Sequence, residues 1–429
     1  MRKSVRCPVD ATKWMIATIL GLCVCVCVEA QSPPAVTGLV TGLAAHSRVR
    51  AALAGAESSE SQTLEDQIRF CEVPAPPFKE RARGEVLRSA FASLGLQDVR
   101  VDRAGNVLGD RPGDSATPRV VIAAHLDTVF PEGTPVKVTR RGSILSGPGI
   151  GDNCRGLAVL VAIARVMNQA GVRTPGTITF VANVGEEGLG DLRGVKALFG
   201  ETLKGRIDRF VSIDNAGIHV STVSVGSHRY RFTFKGPGGH SFAEFGLPNP
   251  ASALGRAVAK IADLQVPANP RTTFNVGRIG GGTSVNAIPA ESWMEVDLRS
   301  SDPSILASLD ARLQQAVDAA TTEENARWRR PGVVTVTREL VGNRPAGTIA
   351  EDAPIVQTAR AVARAVGVIA EFSESSSDAN LPMSLRIPAI TIGGGGRSSN
   401  AHALNESFDA TEAWKGTQNA VLLTIALAR

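Results

Sequence analysis

At 429 residues, 43% of them hydrophobic and 20% charged, the chain is long enough for two cores and is globular rather than disordered. Its formal charge of +5 falls to +3 once the four Lys/Arg and two Asp/Glu of residues 1–30 are set aside, an excess too small to argue for a nucleic-acid partner. Four of the six cysteines (Cys7, Cys23, Cys25, Cys27) lie in that same segment and no CxxC pair occurs, which excludes a zinc ribbon and a disulfide-scaffolded small domain.

In chain order, Arg2, Lys3, Arg6 and Lys13 precede the apolar run 14–28, which ends in Val28-Glu29-Ala30 before Gln31-Ser32-Pro33-Pro34. This pattern predicts a signal peptide over residues 1–30 and a secreted or periplasmic protein. The run is shorter than the ~20 residues of a spanning helix, so no stable membrane anchor is expected. Residues 36–72 and 78–95 have helical apolar spacing, broken by Pro74, Pro76 and Pro77. Short apolar strands then alternate with helical stretches (119–129, 156–171, 177–184, 191–200, 209–215), the pattern of a mostly parallel sheet covered by helices. Cys154 reads as a packing residue.

From 221 the texture changes. An alternating strand to about 235 is followed by a helix (250–265), strands at 272–279 and 292–300, a helix at 303–327 and a strand at 333–340. This βαββαβ order predicts a two-layer α+β insert. The α/β pattern resumes at 353–367 and 387–396 and ends in a helix from about 410. The predicted organisation is therefore signal peptide 1–30, catalytic domain 31–220, insert 221–336 and the rest of the catalytic domain 337–429.

Polar residues gather where the predicted strands end: His125 and Asp127 in AAHLDTV, Asp152 in GPGIGDN, Glu186 and Glu187 in GEEG, Asp214 in SIDN, and His402 in NAHALNES. Each alone reads as a turn residue or a satisfied polar group. Together, at the open edge of a parallel sheet, they form an N/O ligand set suited to zinc, with carboxylate to bridge a second ion. Without cations, burying so many carboxylates costs several kcal/mol per ion. Neighbouring residues leaving a strand point in different directions, so of Glu186 and Glu187 one can face a metal and the other its water.

The series HLDT, GIGDN, GEEG, SID and NAH, together with GPGGHS and the interrupted two-domain plan, resembles the dizinc exopeptidase and amidohydrolase family M20. That family includes peptidase T, glutamate carboxypeptidase, aminoacylase and succinyl-diaminopimelate desuccinylase. The resemblance spans residues 60 to 427 and implies a zinc-exopeptidase catalytic domain interrupted by a ferredoxin-like lid and dimerisation domain. It further implies two zinc ions per chain, with cobalt or manganese as alternatives: His125 and Asp214 on one, Glu187 and His402 on the other, Asp152 bridging. Glu186 is then the general base, Asp127 orients His125, and the Asp152–Asn153 peptide is cis. Two features depart from the commoner pattern: Asp152-Asn153-Cys154 stands where many relatives have Asp-Asp-Lys, and Asp214 where other branches have Glu.

In the lid, His240 matches a family histidine that contacts the scissile carbonyl oxygen, in several members from the partner subunit. Asn286 and Arg299 match positions that bind the substrate carboxylate, and Arg397, beside the glycines 393–396, is a further candidate for that task. His46, His219 and His228 read as structural or surface residues. The expected activity is hydrolysis of small peptides near a free terminus by a homodimer paired through its lids. An N-acyl amino acid deacylase uses the same metal site and is the nearest alternative. A receptor-like module without catalysis predicts lost ligands, and none is lost.

Overall fold

A computed structural model describes residues 32–429, and the segment read as a signal peptide lies outside the described residues. The strands that organise the molecule are β1 (Gln97–Val101), β2 (Val107–Arg111), β3 (Arg119–His125), β4 (Thr177–Asn183), β5 (Arg209–Ile213), β6 (His219–Ser224), β7 (Gly226–Lys235), β8 (Thr272–Gly281), β9 (Glu291–Ser300), β10 (Thr335–Arg344), β11 (Gly347–Thr348), β12 (Glu371–Ser375) and β13 (Ala389–Ile392). The main sheet runs β1-β2-β4-β3-β5-β13-β6-β11, with β12 along the other edge of β6. Its centre is parallel: β3 pairs with β4 and β5, and β5 with β13. In register His125 faces Asn183 and Ile392 faces Ile213, so these strands all end at one edge.

The strands are apolar on both faces because helices cover both. β4 is buried along its whole length. The helix Cys154–Gln169 is apolar around nearly its full circumference and correspondingly buried, as is the C-terminal helix Trp414–Leu427. The former starts at Asn153, whose side chain accepts from Gly156 N and donates to Ile213 O (2.8 Å), so the helix cap is tied to the end of β5. The Asp152–Asn153 peptide is cis.

The insert is a four-stranded antiparallel sheet in the order β8-β9-β7-β10 with helices Pro250–Ala262 and Pro303–Arg327 on one face. Phe232, Phe234, Met294, Val296 and Leu298 of the sheet pack against Leu306, Leu309, Leu313 and Val317. The other face is ionic, with Arg229, Arg231, Glu295, Asp297 and Arg299. The alternating run expected as one strand from 221 is two. β6 belongs to the main sheet, Val225 donates to Ser375 O there, and the insert's sheet is built from residues 226 to 344. Among the described residues no helix is long and apolar enough to cross a membrane.

One expectation is corrected. Cys154 is not simply a packing residue: it forms a disulfide with Cys71, linking the first residue of one helix to the last of another across 83 residues of sequence. Both cysteines are fully buried, and the pairing arises from helix packing that no local spacing encodes. On the chain-entropy account, closing a loop of this length contributes about 4 kcal/mol. Reduction, or Cys71→Ser, is therefore expected to lower the chemical denaturation midpoint by an amount equivalent to about 2–4 kcal/mol. An unchanged midpoint under verified reduction would remove the disulfide from the stability of the fold.

Candidate metal centre

The aligned strand ends deliver the polar residues to one place. His125 closes β3, Asp214 follows β5, and Glu186 and Glu187 follow β4 through Gly185, whose φ of 69° allows the chain to turn there. Asp152 arrives on the loop before the Cys154–Gln169 helix, and His402 comes from the C-terminal segment.

Three ligand groups result, each with its atoms within 4.8 Å: His125, Asp152 and Asp214; His125, Glu186 and Glu187; Asp152, Glu187 and His402. His125 Nε2 is 3.2 Å from Asp152 Oδ1 and 3.5 Å from Asp214 Oδ1. His402 Nε2 is 3.2 Å from Asp152 Oδ2 and 3.3 Å from Glu187 Oε1. These separations match the edge of a tetrahedron with zinc-ligand bonds, about 3.3 Å. His125 Nε2 and Asp152 Oδ1 are buried and hydrogen-bonded to nothing, so the donor set fits cations.

Asp127 lies against the His125 ring with its carbonyl nearer than its carboxylate. The His125 ring nitrogen Nδ1 is 3.0 Å from the Asp127 carbonyl oxygen, whereas its carboxylate is 3.6 Å away. The carboxylate instead accepts the backbone N–H groups of Glu186 (3.1 Å) and Glu187 (2.8 Å). One residue thus orients the imidazole with its main chain and splints the Glu-Glu loop with its side chain. Burial works against charge on Asp127, but the His125 ring and these two N–H groups hold its carboxyl below the usual range.

Three buried charged residues that the sequence reading missed complete the site. Arg344, at the end of β10, donates to Glu186 Oε1 (2.7 Å) and to the Glu186 carbonyl. Burial lifts the Glu186 carboxyl well above its ordinary range, Arg344 opposing and Glu187 adding. Glu406 accepts three backbone N–H groups, from Gly149 (3.0 Å), Gly151 (2.8 Å) and Asp152 (3.0 Å), and so clasps the loop that carries Asp152. Asp378 accepts from Asn183 Nδ2 (2.8 Å), and burial lifts it to about 7. Neighbouring Ser377 donates to Asp214 Oδ2 at 2.6 Å. None of the three has a signature in its own segment. Glu406 had one hint, its place four residues after His402. His402 is half exposed, and its bonds to Asp152 and Glu187 push its ring up to about 10, burial opposing.

The cluster opens on a cavity of about 720 Å³ lined by Asp152, Glu186, Glu187, Asp214 and His402, with Arg229, Arg299 and Arg344 on the lid side. Arg299 is thus brought to the site. Arg229 Nε and Arg299 Nε share the Asp297 carboxylate (3.0 and 2.7 Å), and Arg229 also donates to Gly188 O. His240 lies exposed on the strand Gly239–His240, which pairs with Ala287–Ile288, and Asn286 lies exposed just before the latter, both outside the cavity lining. Arg397 stands opposite Asp409 on a small separate sheet and does not line the cavity either. His219, read as structural or surface, does line it.

The pattern of Peptidase family M20/M25/M40 matches residues 121–425. The Bacillus subtilis protein YqjE is 23% identical over 378 residues, covering 85% of this chain and 98% of its own. A tripeptidase structure from Staphylococcus aureus superposes with a TM-score of 0.70 at 22% identity, covering 86% of this chain and 98% of that one. YXEP of Bacillus subtilis, a dinuclear metal-binding peptidase of the M20 family, superposes with a TM-score of 0.63 at 14% identity, covering 86% and 98%.

The Arg344–Glu186 pair is the interaction most exposed to a single change, both side chains being nearly inaccessible (4% and 6%). Arg344→Met leaves a buried carboxylate without its cation and is expected to destabilise the metal-free protein by about 3–5 kcal/mol. Adding Glu186→Gln should recover part of that loss, a coupling readable in a double-mutant cycle. Strict additivity of the two losses would mean that the pair is not coupled.

Proposed function

The chain belongs to peptidase family M20/M25/M40, and within that family we propose that it is a dinuclear metal-dependent exopeptidase acting on small peptides with a free carboxylate. The observation that carries this reading is Asp152, which turns one oxygen toward the His125 and Asp214 group and the other toward the Glu187 and His402 group. We assign His125 and Asp214 to one ion, Glu187 and His402 to the other, and Asp152 to both. The nitrogen and oxygen donors suit zinc, with cobalt or manganese as alternatives. Such a pair, when bound, polarises the scissile carbonyl and makes hydroxide available at neutral pH.

The chain's own residues do the rest. Glu186 takes the proton of the attacking water and passes it to the amine nitrogen as the C–N bond breaks, so one water is consumed and a carboxylate and an amine leave. Arg344 holds Glu186 in place from above, and the Asp127 carboxylate fixes the backbone beneath it. Arg299 receives the substrate carboxylate, a task its planar fork suits. His240 and Asn286 lie off the cavity of their own chain, beside exposed Phe242, Phe245 and Val285, which supports a homodimer through the lids with His240 serving the partner's site. The Cys71–Cys154 disulfide supports export to an oxidising compartment.

Metal analysis should give about two divalent ions per chain. Glu186→Gln should keep them and lower turnover about a hundredfold or more, while Glu187→Gln should weaken metal binding. The reverse behaviour would exchange the two roles, and one ion per fully active chain would end the dinuclear reading.

Because a charge-assisted Arg–carboxylate contact is lost on amidation, peptides with a free C-terminus should be cleaved much faster than their amides. Arg299→Ala should abolish most of that preference by slowing the free acid. Equal rates on acid and amide in the unaltered protein would refute the carboxylate clamp and leave the metal chemistry standing.

A further inference from the structure

Beyond the ligand cluster the cavity is lined by two further sets of side chains. On the lid side it meets Arg229 and Arg299, two guanidinium groups that share one Asp297 carboxylate and so present net positive charge. From the main sheet it meets His219, Ser221, Glu371, Ser373, Glu374 and Thr391. These six come from adjacent strands β6, β12 and β13, with Thr391 opposite Ser221, Ser221 opposite Ser373, and His219 opposite Glu371. Side chains opposite one another in neighbouring strands share a face of the sheet, and residues two apart share it as well. The wall is therefore a row of three hydroxyls with the Glu371 carboxylate and the His219 ring one repeat along.

Its chemistry is that of an acceptor site. The Ser221 and Ser373 hydroxyls lie 3.0 Å apart and bond to each other. Thr391 is 1% exposed, yet its Oγ1 has no hydrogen-bond partner and the residue lines the cavity. A buried hydroxyl is rarely left unbonded without a ligand or a water to serve it. Glu371 and Glu374 are exposed to the cavity, and no Lys or Arg among the described residues pairs with either. Negative charge beside oxygen acceptors, with no cation supplied by the described protein, is what an ammonium group with its three N–H donors needs.

We infer that this wall binds the free α-ammonium group of the substrate, so that the enzyme takes zwitterionic di- or tripeptides, ammonium against β12 and carboxylate against the lid arginines. The inference rests on the amide-hydrolase reading above and adds the terminus that reading leaves open. A cavity of about 720 Å³ suits a ligand of this size. The scissile amide then lies between two poles of opposite charge, over the metal-ligand cluster. An N-acyl group places carbonyl lone pairs against carboxylate oxygens instead, so the wall discriminates against deacylase substrates by repulsion as well as by lost attraction.

The test uses metal-loaded full-length protein and three matched substrates, drawn from a panel of dipeptides of small and branched residues: the free dipeptide, its N-acetyl derivative and its des-amino analogue. The free dipeptide is expected to lead in kcat/KM by at least about tenfold, mainly through KM. The Glu371→Gln/Glu374→Gln double variant should raise KM for the free dipeptide and shrink the lead to about threefold or less. Thr391→Val should raise the same KM with little change in kcat. Equal or faster cleavage of the acetylated or des-amino compounds would overturn the inference while leaving the amide-hydrolase reading intact. So would a double variant that keeps the full preference. Turnover of none of the three by protein carrying its metals would bring down both.

Discussion

Everything in this molecule is arranged around a concentration of negative charge that folding by itself disfavours. Asp127, Asp152, Glu186 and Glu187 are buried at one edge of the main sheet, with Asp214 half-buried beside them and Asp378 buried behind. Among the described residues, His125, His402 and Arg344 stand against them directly. A buried carboxylate survives if a cation or several N–H groups face it. Each of these has found a different solution: Asp127 takes two backbone N–H groups, Glu186 takes a guanidinium, and Asp152 lies between two imidazoles. Among the buried atoms left without a partner are His125 Nε2 and Asp152 Oδ1, where the described protein stops supplying partners to the ligand cluster.

The same constraint explains why the loops are tied so firmly. Glu406 holds the Gly149–Asp152 loop through three N–H groups, and Asn153 couples the following helix to the end of β5. A Cβ on Gly151 would lie inside contact distance of Ser398 Oγ and 3.1 Å from Glu406 Oε1, so the tight grip on the loop leaves little room for a side chain there. The Cys71–Cys154 disulfide adds a covalent tie to the first turn of that helix.

The lid is fastened to this same region. Arg344 reaches Glu186, Arg229 reaches Gly188, and Asn343 N donates to Asp191 (2.7 Å), all from the lid strands nearest the main domain. The Glu186–Asp191 loop is thus gripped on one side by Asp127 of the main sheet and on the other by the lid. The Glu186 carboxylate is thus held by a buried, charge-assisted bond from the last strand of the lid. The lid also supplies Arg229 and Arg299 to the cavity, and the main sheet supplies the wall from β6, β12 and β13.

Local sequence determined a good deal. Apolar strands ending in His125, Glu186 and Asp214 declare a parallel sheet with its polar edge, because strand burial and strand termination are properties of short segments. The βαββαβ insert was legible for the same reason. The alternating run from 221 to about 235 reads as one strand because alternation persists across Val225, and only pairing partners reveal that its first part belongs to another sheet. What tertiary structure alone decided are the relations between segments far apart in the chain. Arg344 meets Glu186 across 158 residues, Glu406 meets Asp152 across 254, and Thr391 joins Ser221 and Ser373 in one wall. Such partners leave no local periodicity, since a buried charge or hydroxyl is chosen by the group it faces rather than by its neighbours in sequence.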